Sequence, residues 1–127
     1  MRTIAQVLIA LIAALHLYIA YFEIFSWETF GPRVFTGFPA ELFSQTIEIA
    51  ANQGIYNAFL AVGLIWALTI RDRGWQRNVA TCFLLFVFVA GLMGDATVST
   101  SILFLQSVPA LIALVFLWIS SHTRTNA

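Results

Sequence analysis

Four runs of predominantly apolar residues, each long enough to cross a bilayer, take up most of this chain of 127 residues. A membrane-spanning helix needs roughly 20 such residues, and the runs fall at about 4–25, 47–70, 79–98 and 102–121. They leave no room for a separate soluble domain, so residues 1–127 read as one four-helix unit. Composition agrees. Hydrophobic residues make up 61% and charged residues 9%, where soluble domains carry roughly 45–50% and about 25%. Six basic and six acidic residues cannot cover the surface of so small a globule, and a chain this apolar does not stay solvated as a disordered one does. The expected fold class is all-α, an integral membrane four-helix bundle.

The first run continues past Leu15 to Phe25 with no small-x-small cleavage site, which argues for a retained span over a cleaved signal peptide. With four spans, the N-terminus, the second connection and the C-terminus share one side. That side holds Arg2, Arg71, Arg73, Arg77 and Arg124; the other holds Arg33. The positive-inside rule then puts both termini in the cytoplasm, in an inner-membrane, multi-pass protein. The six basic residues balance six acids, so no basic field for nucleic acid is present. Cys82 is the single cysteine, which excludes an intramolecular disulfide and a cysteine-based metal cluster.

The connection Arg71–Arg77 is short, with Gly74 as a turn residue and Trp75 as an interfacial anchor. The first outer loop, Ser26–Gln45, is the longest and carries Trp27, Phe30, Phe35, Phe38 and Phe43. Gly31-Pro32 and Gly37-Phe38-Pro39 are expected to break helix there. Pro39 with Ala40-Glu41-Leu42 suits a first helical turn. The aromatics read either as an interfacial belt or as a lid over an outward-facing cavity.

Polar side chains inside spans usually face the bundle interior or a wet cavity, and here they gather in the outer half. His16 and Glu23 are seven residues apart and share one helix face. Glu48, Asn52 and Tyr56 form a stripe spaced by four, and Gln53 and Asn57 form its neighbour. Asp95 lies near the end of the third span, and Gln106 lies one turn into the fourth, before Pro109. The inner halves, such as Leu60–Leu68 and Cys82–Ala90, are almost wholly apolar. One shared polar site is the economical explanation. In it, His16, Glu23 and Glu48 are the candidate proton-transfer groups, and Asn52, Gln53, Tyr56, Asn57, Asp95 and Gln106 are the candidate ligand-binding groups. Each also has a structural role open to it: Asn52, Gln53 and Asn57 as interhelical hydrogen-bonding groups, Gly63, Gly91 and Gly94 as close-packing sites, and Pro109 as a kink. No short-spaced metal-ligand motif, glycine-rich phosphate loop or nucleophile elbow occurs, so no metal or cofactor is expected.

The run His16–Trp27 and the run Asn52–Ala61 resemble the first two motifs of a family of small bacterial membrane proteins, domain of unknown function 1304. Ala90-Gly91 with Thr97, and Gln106–Ala110, are similar to its third and fourth. The resemblance implies a four-span membrane protein of about this length and brings no established activity with it.

Three functions fit these residues. The first is a membrane-embedded site that binds or converts a small hydrophobic or lipid-like molecule. The second is an accessory bundle that binds a partner subunit. The third is a small proton-coupled transporter, against which stand the position of Glu23 near the end of its span and the length of the first outer loop. Membrane lipids are the expected partners, and the sequence leaves the oligomeric state open.

Overall fold

Residues 2–122 are described by a computed structural model of the chain, and their regular structure is all helical. Four helices are long and apolar enough to cross a membrane: Thr3–Phe25, Ile47–Thr69, Arg73–Thr97 and Thr100–Ser120. We label them within α1 (Arg2–Phe25), α4 (Ile47–Thr69), α5 (Arg73–Thr97) and a composite fourth span. Two short helices, α2 (Trp27–Val34) and α3 (Ala40–Gln45), connect α1 to α4. The fourth span consists of α6 (Thr100–Ile102), a π-helical turn (Leu103–Ser107) and α7 (Val108–His122). Met1 and Thr123 onward, with Arg124, lie outside the described residues, as do the side chains of Arg2, Ser121 and His122.

The spans pack in a ring. α1 lies against α4 most extensively, α4 against α5, α5 against the fourth span, and the fourth span back against α1. The core is apolar and built largely of small or branched residues: Ala5, Ile9, Ile12 and Ala13 of α1, Leu64 and Ala67 of α4, Val79, Ala80, Leu84 and Val87 of α5, and Ala110, Ala113 and Leu117 of α7. Only 17–28% of each span's apolar window is buried within the protein, so most of its apolar surface faces outward, as hydrocarbon surroundings permit. Lipid tails are as apolar as leucine, so close packing holds such helices together. The α1–α4 seam shows how. A Cβ on Gly54 would sit 2.6 Å from Ile24 Cγ1 and 3.0 Å from the Ala20 carbonyl, and Ala13, Ala20 and Ala61 are buried. Gly63 likewise receives the Phe83 ring, and Gly91 receives Ser107.

Three local features differ from the sequence-based expectation. α2 runs through Gly31-Pro32 without breaking. Pro32 forfeits one backbone bond two residues before the helix ends, and its fixed φ is already helical. Gly31 is buried, and a Cβ there would meet the Phe43 ring. α5 begins at Arg73 rather than 79, because Asp72 Oδ1 accepts from the Trp75 N–H at 2.8 Å and caps it. Gln76 then reaches back, its Nε2 donating to the Ile70 carbonyl at 3.2 Å. Gly74 is thus in the first turn of a helix instead of at a bend. In the fourth span the kink expected at Pro109 becomes a widened turn. The Val108 N–H bonds to the Leu103 carbonyl five residues back, and the π turn absorbs the register change ahead of the proline. Ser107, buried in that turn, donates through Oγ to the Phe88 carbonyl at 2.8 Å.

The connection between α1 and α4 has a small aromatic core of its own. Trp27 packs on Phe22, Phe35 and Phe43 with ring centres 5.8, 5.8 and 5.2 Å apart. Phe43 is fully buried. Trp27 Nε1 donates to Thr46 Oγ1 at 2.9 Å, and Thr46 Oγ1 donates onward to the Leu42 carbonyl at 2.7 Å. α3 starts after Pro39, whose extended backbone turns the chain. This loop-rich end lies opposite the end bearing Arg71, Arg73 and Arg77.

Candidate functional site

His16 and Glu23 lie on the face of α1 that meets its neighbours, whereas Tyr18 and Tyr21 are exposed. His16 follows the buried stripe Ile9, Ile12 and Ala13 and precedes Ala20 by four residues, the spacing of a single face. It is fully buried. Its Nδ1 lies 2.8 Å from the Ile12 carbonyl. A carbonyl can only accept, so Nδ1 carries a proton, and in the neutral ring Nε2 presents a lone pair. Nε2 is buried and has no hydrogen-bond partner among the described residues. A buried acceptor left unmet is unfavourable by about 1–3 kcal/mol, and ionisable groups at such depth are usually functional.

Two helical turns further along, half-buried Glu23 meets α4. Asn57 Nδ2 donates to Glu23 Oε2 at 2.8 Å and approaches the Gln53 carbonyl at 3.3 Å. The run from Asn52 to Asn57 offers several polar side chains to α1, and geometry selects one. The face of α4 that touches α1 is marked by Ala50, Gly54 and Ala61, all buried. Asn57 falls on that stripe, three residues from Gly54. Asn52 and Tyr56 are each two residues from Gly54, about 200° around the helix, and Glu48 continues their stripe.

Glu48, Asn52, Gln53 and Tyr56 are accordingly exposed, and Tyr56 meets Phe59 edge-on with ring centres 6.3 Å apart. Asp95 and Gln106 are half-buried. Among the described residues, no hydrogen bond ties Glu48, Asn52, Tyr56, Asp95 or Gln106 to His16 or Glu23. The structure therefore brings Glu23 and Asn57 together, buries His16 on the same face of α1, and gives the other candidate side chains no hydrogen bond to either group among the described residues. No three His, Cys, Asp or Glu side chains among the described residues are grouped to hold a metal ion.

Two features have no local signal in the sequence. One is an apolar cleft of about 270 Å³ on the seam between α1 and the fourth span, lined by Leu8, Leu11, Ile12, Leu15, Phe104, Leu105 and Pro109. Ile12 belongs both to this wall and, through its carbonyl, to His16. The other is the stacking of Arg77 on Trp118 at the opposite end. Both join residues far apart in the chain.

The model of the family described as Protein of unknown function (DUF1304) matches residues 10–118, and the chain belongs to that family. It is also similar to the uncharacterized protein YpaA of Lactococcus lactis subsp. lactis (strain IL1403), 30% identical over 116 residues, which cover 89% of this chain and 96% of the relative. No solved structure matches.

Proposed function

We propose that this member of the family binds a small, lipid-like molecule within its bundle, with the lone pair of His16 Nε2 receiving a hydroxyl or amide N–H from it. The observation that carries the reading is the complete burial of an acceptor that no group among the described residues satisfies. The apolar cleft beside Ile12 and Leu15, open on the outer face of the bundle where Leu11 and Phe104 are exposed, suits the hydrocarbon part of such a molecule. Glu23, held by Asn57, is the second polar group on the same α1 face and the partner for proton transfer if the molecule is converted as well as held. Glu48, Asn52, Gln53, Tyr56, Asp95 and Gln106 enter this reading as polar surroundings toward the loop-rich end.

In the same reading the arginine end faces the cytoplasm of an inner membrane, supported by Arg71, Arg73 and Arg77 around a short connection. A reporter fused to the C-terminus is then active only as a cytoplasmic protein. The binding site is tested by purifying the full-length protein from its native membrane in mild detergent and identifying the small molecules it retains by mass spectrometry. A hydrogen-bond-donating amphiphile retained by the wild type and lost from His16→Leu supports the proposal. Identical small-molecule content in the two proteins overturns it.

A further inference from the structure

The arginine end carries an arrangement that the site above does not use. Arg77 Cζ lies 4.7 Å over the ring centre of Trp118, the attraction of a cation for an aromatic face. The indole is itself held, since Trp118 Nε1 donates to Thr81 Oγ1 at 3.1 Å. Thr81 stands one turn beyond Arg77 on α5, so a hydroxyl and a guanidinium from α5 fix the same ring of α7. Arg77 Nε is buried without a hydrogen-bond partner among the described residues, which leaves outward polar contacts to the terminal N–H groups. Arg73, one turn before Arg77 on the same face, is exposed, as is Arg71. The only acid in this connection, Asp72, spends a carboxylate oxygen on the Trp75 N–H. No acid pairs with the three arginines among the described residues.

We propose that the α5–α7 seam around Arg77 binds the phosphate of an anionic phospholipid. Guanidinium N–H groups form a planar fork that matches phosphate oxygens, and a stacked fork loses less freedom on binding than a free one. Basic pockets between spans hold anionic headgroups, and each arginine near the surface strengthens the attraction about fivefold. Trp75, 67% exposed, is an amphipathic ring at headgroup level. The acyl chains have a path, because Leu111 and Val115 of α7 are exposed along the span from the Trp118 turn toward its middle. A lipid uses both the fork and this apolar flank, whereas free phosphate uses only the fork.

The test reconstitutes the full-length protein in bilayers of equal parts phosphatidylcholine and phosphatidylglycerol and counts retained lipids by native mass spectrometry, with thermal unfolding of each variant alongside. The wild type retains phosphatidylglycerol in preference to phosphatidylcholine. Arg77→Gln lowers that preference about fivefold. Arg73→Gln, at an exposed position that leaves the stack intact, lowers it by a similar factor and decides the matter if Arg77→Gln fails to fold. Arg33→Gln, at the other end, leaves it unchanged. Equal retention of the two lipids by the wild type, or an undiminished preference in the folded Arg77 and Arg73 variants, overturns the proposal. Full displacement of phosphatidylglycerol by excess inorganic phosphate overturns it in favour of a free-phosphate site.

Discussion

The amide of Asn57 closes on the carboxylate of Glu23 at 2.8 Å, tying α4 to α1 near the loop-rich end. The bond has unequal dependence on its two partners. Asn57→Leu leaves a half-buried carboxylate without its donor, whereas Glu23→Gln keeps an acceptor oxygen for the same amide. Asn57→Leu is expected to lower stability by about 0.6–2 kcal/mol, the range for interhelical hydrogen bonds in membranes. Glu23→Gln should stay within a few tenths of that scale of the wild type. Reversible unfolding in bicelles measures both, and a larger loss in the glutamine variant would show that the charge, and not the bond, stabilises the seam.

Close approach makes a second comparison possible between two glycines. A Cβ on Gly54 meets the Ala20 carbonyl at 3.0 Å, and backbone cannot swing aside as a side chain does. Around Gly37 nothing lies within 4 Å. Gly54→Ala should therefore push α1 and α4 apart and destabilise by about 1–3 kcal/mol, the usual range for overpacking, while Gly37→Ala is neutral. Equal melting shifts for the two would mean that the seam is looser than its geometry states.

Phe43 is the centre of a unit that folds on top of the spans. Its ring fills the space over Gly31 and packs on Trp27 at 5.2 Å. Phe43→Ala removes that filling, at about 3–5 kcal/mol where a buried phenylalanine is truncated. The loss should be local, because the apolar core of the spans contains no residue of α2 or α3. Hydrogen exchange is expected to accelerate across Trp27–Gln45 while α4 and α5 stay protected. Uniform acceleration along the whole chain would instead make this unit part of one cooperative core.

The spans could be read from the sequence because the bilayer requires some 20 apolar residues in a row, a signal that does not depend on which neighbour each helix meets. Their ends were less legible. Arg73–Asn78 looks like a polar connection, yet it is helical, since one cap at Asp72 and the tie from Gln76 outweigh polarity in setting where a helix starts. The π turn before Pro109 depends on Ser107 reaching Phe88 in another span, which no local pattern encodes. Within the site, the i to i+7 relation of His16 and Glu23 was visible from spacing alone. The choice of Asn57 among its polar neighbours was not, because it follows from the small residues Ala50, Gly54 and Ala61 that bring α4 against α1.

His16 separates stability from function most sharply. Leucine in its place keeps an apolar volume at a fully buried position and removes the unmet acceptor at Nε2. The Ile12 carbonyl, which also takes the His16 Nδ1–H, keeps its backbone partner within α1. Replacing an unsatisfied buried polar group by an apolar one is neutral or stabilising, by up to about 1–3 kcal/mol. In protein stripped of small molecules, His16→Leu should therefore unfold at the same denaturant concentration as the wild type or at a higher one. Adding back a native lipid extract should reverse the order, since a ligand that binds only the folded wild type stabilises it by mass action. The comparison is made in both conditions by the same unfolding assay. A leucine variant much weaker than the stripped wild type would make the imidazole a structural group, and an extract that shifts both proteins equally would remove it from any binding role.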